Sequence, residues 1–185
     1  MSKNGKWYLA GVGLVGVVMG VALVAVGNST LHWAGSNEFC GSFCHSMDNV
    51  KVAYEKGQHF QTKSGFSVNC VECHNLYKSD RHYSFSHVIG GLIHKAEAGF
   101  SSLSGEIRGT MATPEMQVAK QAELSKKVHD WMKEVNFQPC RGCHDLANMA
   151  PNPQKPMIPM MHKNMAANPK TDCLTCHKNA GHKYN

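Results

Sequence analysis

The eight cysteines of this 185-residue chain fall into four pairs, and a histidine follows the second cysteine of every pair. Three pairs share one spacing: Cys70-Val-Glu-Cys73-His74, Cys140-Arg-Gly-Cys143-His144 and Cys173-Leu-Thr-Cys176-His177. The first is one residue wider, Cys40-Gly-Ser-Phe-Cys44-His45. C-x-x-C-H is the attachment signature of c-type haem. The two thiols form thioethers with the two vinyl groups, and the adjacent histidine sits under the iron as an axial ligand. Disulfides or zinc would also use paired cysteines, but neither requires a histidine after every second one. The sequence predicts four covalently bound haem c groups and no thiol left over.

The four sites form two pairs. His45 and His74 are 29 residues apart, His144 and His177 are 33 apart, and 70 residues separate the pairs. Each pair contains one more histidine at the same offset: His59 and His162 both precede the next motif histidine by 15. This internal repeat predicts a duplicated dihaem module, over about 36–105 and 136–185. His59 and His162 are the first candidates for distal iron ligands, beside the motif ligands His74, His144 and His177. His182, five residues after His177, is a third candidate, and His82 a weaker one.

The elements that hold these sites cannot be an ordinary aliphatic core. From Asn28 to Asn185, Leu, Ile, Val and Phe make up 26 of 158 residues, about 16%. Chains below about 20% in these types do not usually bury enough to fold, so the macrocycles themselves must fill the core. The net charge is +6, with no basic run of the kind that binds nucleic acid.

Residues 7–26 contain 16 apolar residues in 20 positions and no charge. A helix of about 20 residues spans the bilayer hydrocarbon. Lys3 and Lys6 precede it, which places the N-terminus in the cytoplasm. No well-spaced small-residue cleavage site follows, so the segment reads as an uncleaved anchor and not a signal peptide. Gly16 and Gly20 form one GxxxG, compatible with a homo-oligomer. The expected organisation is a cytoplasmic N-terminus and anchor over 1–27 and a periplasmic haem domain over 28–185. The site is a bacterial inner (cytoplasmic) membrane, and the first partner is its lipid.

Thr113-Pro114 reads as N-cap and N1 of a helix running to about Val135, supported by a Glu123–Lys127 pair. His129, on that helix, reads as packing or surface. A second helix is expected over about His82–Leu103. His87 and His94 share one face of it and are either further axial ligands or polar groups lining a membrane-proximal cleft. Residues 147–170, rich in Pro and Met, read as an extended strap delivering His162. No sheet signal appears. The fold class is mainly α with much irregular structure: one transmembrane helix and a tetrahaem domain built as two dihaem modules.

The anchor, the four paired haem sites, Phe39-Cys40…Cys44-His45-Ser46-Met47, the Met-His162 before the last site and the terminal Ala-Gly-His182 together resemble the NapC/NirT/NrfH family. These are membrane-anchored tetrahaem quinol dehydrogenases, and the resemblance covers nearly the whole chain. It implies that Met47, and not His45, binds the first haem iron, and that the other three haems are bis-histidine. It also implies an acidic residue beside the open face of the first haem, for which Glu97 is the nearest match and Asp80 an alternative. The family's lysines on that helix are represented by Lys95. The first site's extra residue departs from the family pattern.

The function expected from the resemblance is oxidation of menaquinol or another quinol, with relay of electrons to a periplasmic terminal reductase. That partner would be a multihaem or molybdenum enzyme of the nitrite or nitrate reductase type. Quinol releases two protons with its two electrons, so a proton acceptor is needed near the first haem, and Glu97, His87 or His94 could serve. Two other readings stay open: a tethered carrier without a quinol site, and a reverse route delivering electrons into the quinone pool.

Overall fold

A computed structural model describes residues 3–74, 85–168 and 170–184, with side chains from residue 5 in the first segment and from residue 89 in the second. His82 and Asp80 lie outside the described residues, and the side chain of His87 does too. Among the described residues the regular structure is entirely helical.

Helix α1, Lys3–Trp33, is 31 residues long. Its stretch Gly5–Trp33 is long and apolar enough to cross a membrane, and its most apolar window is not buried against the described residues. Leu14, Val17, Val18, Leu23 and Val24 are all exposed. A helix apolar on every side has no polar face to turn to water. The helix does not stop where the apolar run ends at Gly27. Asn28 to His32 contain no helix breaker, and Thr30 returns its hydroxyl to the Val26 carbonyl at 2.9 Å, so the polar turn continues the ladder.

Beyond α1 the chain is a series of short helices: α2 (Asn37–Ser42), a 3-10 turn (His45–Met47), α3 (Asp48–Glu55) and α4 (Cys70–His74). The long helices α5 (Phe85–Ile107) and α6 (Pro114–Glu134) follow. Then come α7 (Gln138–Arg141), a 3-10 turn (Leu146–Asn148), α8 (Met157–Ala166) and a last 3-10 turn (Cys173–Thr175).

Helix α6 begins as Thr-Pro predicts, with the Thr113 hydroxyl accepting from the Met116 N–H and Pro114 in the first turn. Its end is turned by Asn136 and Phe137, both left-handed at φ 52° and 53°. Phe137 tolerates this conformation because it is only 1% exposed and its N–H bonds the Met132 carbonyl at 2.8 Å. The turn delivers Pro139 and Cys140 directly into α7.

The expected strap over 147–170 is instead interrupted by helix α8, which carries His162. Pro159 is its third residue, where the backbone N–H has no intrahelical acceptor and proline therefore costs little. The buried apolar residues among those described are few: Ala53, Tyr54, Val71, Met132 and Phe137. That agrees with the poverty of aliphatic residues in the sequence.

Candidate haem centres and their ligands

The first, second and fourth haem-site motifs begin on short helices or a 3-10 turn tied by polar side chains. Asn37, in α2, uses its Oδ1 to accept the Cys70 N–H at 2.8 Å, and its Nδ2 lies 3.3 Å from both the Tyr54 hydroxyl and the Val68 carbonyl. Tyr54 is buried and donates to Val68 O as well. The first and second sites are thus pinned to each other across more than thirty residues. Asp172 caps the turn of the fourth site by accepting from the Leu174 and Thr175 N–H groups at 3.0 and 3.2 Å. His129, expected to be packing or surface, is the partner of that cap: its Nε2 lies 2.9 Å from Asp172 Oδ2.

No disulfide joins any of the eight cysteines. They are neighbours in an order. Cys40 lies beside Cys70, Cys73 within electrostatic reach of Cys143, and Cys140 beside Cys173. The sequence of contacts is therefore site one to two, two to three, and three to four.

Three pairs of imidazoles face one another. The His59 and His144 ring centres are 6.1 Å apart, those of His74 and His182 are 6.1 Å apart, and those of His162 and His177 are 5.9 Å apart. A metal–imidazole bond is about 2 Å, so two imidazoles on opposite sides of one metal have ring centres about 6 Å apart. The three non-motif histidines also share a second feature. Nδ1 of His59, His162 and His182 lies 2.6, 2.9 and 3.2 Å from the carbonyls of Ala180, Ile158 and Val50. A carbonyl can only accept, so it takes the Nδ1 proton and leaves Nε2 with a free lone pair, the arrangement typical of metal-binding histidines. Burial lowers the half-buried His182 imidazole, which favours the neutral, ligating form. The donor set fits bis-histidine haem at sites two, three and four.

Two of these pairs cross between the halves of the chain. His59 faces a motif histidine of the second half, and His182 faces one of the first. Only His162 and His177 pair within one half.

The first site differs. His45 faces no second imidazole among the described residues. Its side chain is 85% exposed, 3.5 Å from Asp48 Oδ2. Met47, two residues on, is half-buried. The peptide between His45 and Ser46 is held from both sides. Gln117, buried in α6, donates from Nε2 to the His45 carbonyl at 2.8 Å, and Glu106 of α5 accepts the Ser46 N–H at 2.6 Å. That bond holds the Glu106 carboxyl below the usual carboxylate range.

The residues expected near a quinol are spread along α5. Glu97 is exposed. Lys95 donates to the Leu31 carbonyl at 2.8 Å, tying α5 to the C-terminal end of α1. His94 stacks on Trp131 at 5.7 Å with Nε2 2.9 Å from the His74 carbonyl, so its ring joins α5, α6 and site two. At the same end of the anchor, Trp33, Phe39 and Phe43 form a run of aromatic contacts at 4.7 and 5.0 Å beside the first haem site. Asn37, Glu106 and Gln117 carried no signal in the sequence, because the haem-site backbone groups they hold, at Cys70, Ser46 and His45, are 33, 60 and 72 residues away. Asp172 did carry one, as an acidic cap directly before a haem motif.

Comparison with known proteins decides the class. Residues 2–185 match the family described as the NapC/NirT cytochrome c family, N-terminal region. The chain belongs to the NapC/NirT family. Its cofactor is accordingly c-type haem, and its one long apolar helix is the membrane anchor of an electron-transport cytochrome. Among NapC/NirT relatives it is 32% identical to the cytochrome c-type protein TorC of Escherichia coli over 97% of this chain and 43% of TorC. It is 30% identical to the denitrification system component NirT of Stutzerimonas stutzeri over 96% of this chain and 83% of NirT. It is 30% identical to the cytochrome c-type protein NapC of Escherichia coli over 92% and 80% of the two chains. The chain thus spans less than half the length of TorC. No solved structure matches.

Proposed function

We propose that this protein carries four haem c groups, oxidises a quinol at the first, and passes the electrons in chain order to a periplasmic terminal reductase. One observation carries the reading: three motif histidines face a second imidazole at about 6 Å and His45 does not. Three irons would be saturated by His74 with His182, His144 with His59, and His177 with His162. The first would be held by Met47 on one face and left open on the other, beside the anchor.

The haems supply one-electron chemistry at potentials that the protein sets through ligands and burial. The chain's own residues do the rest. Asn37 and Tyr54 hold sites one and two together, and the cysteine neighbours keep the sites in a continuous series. Lys95 fixes α5 against the end of α1, which forms the wall where a lipid-borne quinol would arrive. A proton acceptor must stand there for the two protons released. Glu97 and His87 are the candidates on α5, while His94 is engaged with Trp131 and the His74 carbonyl. A relative named as a denitrification system component supports a nitrogen-oxide reductase as the electron acceptor. The haem-binding cysteine pairs, whose thioethers form on the oxidising side of the membrane, and the Lys3/Lys6 charge support a bacterial inner-membrane location with the haem domain on the periplasmic side.

The test is a spectrum and a reduction assay on the detergent-solubilised holoprotein. One high-spin haem, perturbed by a quinol-site inhibitor, together with reduction by a menaquinol analogue, is the expected result. Four low-spin haems and no reduction by the quinol would replace this reading with that of a tethered carrier.

A further inference from the structure

We infer that Gln117 and Glu106 are positioning residues that select the axial ligand of the first haem by gripping one peptide bond. The inference rests on the proposed Met47 ligation. His45 and Met47 are the two candidate donors, and they flank Ser46 in a three-residue 3-10 turn. Such a turn advances by about 120° per residue, so residues two apart point to different sides. Only one of the pair faces the iron for a given orientation of the turn.

That orientation is set from outside the turn. The His45–Ser46 peptide offers one carbonyl and one N–H. Gln117 Nε2 donates to the carbonyl at 2.8 Å, and Glu106 Oε1 accepts from the N–H at 2.6 Å. Gln117 has further anchors: Nε2 also donates to the Met111 carbonyl at 3.1 Å, and Oε1 accepts the Asn49 N–H at 3.2 Å. Its side chain belongs to a residue only 5% exposed, and Ser46 is 6% exposed, so water does not replace these bonds readily. With the peptide plane fixed, His45 points outward to Asp48 and Met47 stays inside. No bond to His45 itself is needed to keep it off the iron.

The two grips come from the end of α5 and the start of α6, on either side of the loop that holds Met111. The ligand choice at the first haem is therefore coupled to the placement of α5, the helix proposed to form the quinol wall.

Nitric oxide added to the fully reduced, purified holoprotein is a direct probe. It binds the open face of the first haem, and its electron paramagnetic resonance spectrum reports the ligand on the opposite face. An imidazole nitrogen adds a further splitting, and a thioether sulfur does not. Wild type is expected to show no imidazole splitting. Gln117→Leu and Glu106→Ala are expected to show it. Each lost hydrogen bond shifts the Met47/His45 balance by roughly a factor of five. The midpoint potential of the first haem should fall with it, since a thioether favours the reduced iron, while the other three potentials stay put. Glu106→Gln keeps the acceptor oxygen and should restore the thioether signature that Glu106→Ala loses. Imidazole splitting in wild type, or no nitrosyl at all, would overturn the proposed Met47 ligation and its open face. A clean wild-type spectrum with equally clean Gln117→Leu and Glu106→Ala spectra would overturn the grip alone. If Gln117→Leu fails to assemble, Glu106→Ala against Glu106→Gln decides the matter.

Discussion

His59 and His144 stand with ring centres 6.1 Å apart and ring planes at 89°, although 85 residues separate them in the chain. The other two imidazole pairs are inclined at about half that angle, 50° for His74–His182 and 47° for His162–His177. Perpendicular axial imidazoles leave the two iron d-orbitals that they perturb nearly equal in energy. The third haem should therefore give a single, strongly anisotropic low-spin resonance, and the second and fourth more ordinary rhombic ones. Low-temperature electron paramagnetic resonance of the oxidised protein checks this. Three identical rhombic signals would contradict the geometry.

Replacing His182 should damage the second haem, and not the fourth, beside which it lies in sequence. His182→Ala is expected to convert one low-spin haem to high spin while all four stay covalently attached. The double variant with His74→Ala should lose no further low-spin haem, because both changes act on the same iron.

The tail that carries His182 passes close over Gly57. A Cβ at position 57 would lie 2.9 Å from the Gly181 carbonyl oxygen and 3.0 Å from the Tyr54 carbonyl oxygen. Both are backbone atoms that cannot rotate away. Gly57→Ala should cost about 1–3 kcal/mol by overpacking. It should also broaden the low-spin signals of the haems served by His182 and by His59, whose Nδ1 acceptor is Ala180. A thermal scan with the spectrum measures both effects.

Asp172 links pH to the stability of the fourth site. Burial pushes its carboxyl up, but the hydrogen bond and charge of His129, with those of Lys133, outweigh this and hold it below the ordinary value. A depressed carboxylate stabilises the fold above its unfolded value, about pH 3.9, and loses that contribution as pH falls through the lower folded value. Asp172→Asn keeps the cap and removes the ion pair, so its stability should lie below wild type near neutrality and converge with it under acid. Asp172→Ala also removes the cap and should cost a further 1 kcal/mol or so. Melting curves from pH 3 to 7 (the ordinary range about the carboxylate value) test the convergence.

Intact-mass analysis should find four haems and no free thiol. A mass for three haems, with Cys40 and Cys44 unmodified, would remove the wide site from the set.

The sequence carried the centres further than it carried the frame around them. The cysteine–histidine motifs and the matched offsets of His59 and His162 are local patterns, and the structure sets both histidines, with His182, opposite motif histidines. The capping signal at Thr113-Pro114 and the Glu123–Lys127 pair, 2.6 Å apart, are also local, and both formed. What the repeat did not disclose is which histidine meets which. His59 and His162 have the same offset, yet one crosses to the other half and one stays, because the pairing depends on how α4 lies on α7. Proline content misread residues 157–166, since Pro159 falls in the first turn, where it is tolerated. Asn37, Glu106 and Gln117 act on backbone groups far along the chain, and a polar side chain in the sequence does not say which carbonyl it will find.

The crossed pairs give this small protein the topology of a laced shoe. If the imidazole pairs are the iron ligands, a chain emerging from its N-terminus presents the cysteines of its second site long before the residue that finishes that site. Haem could be attached there while the iron still lacked its sixth ligand, and only arrival of residues 178–184 would close it. Residues 178–184 then act as a checkpoint on assembly: a chain cut short just before them would keep all four cysteine pairs described above, yet be marked as unfinished by an open iron at its second site.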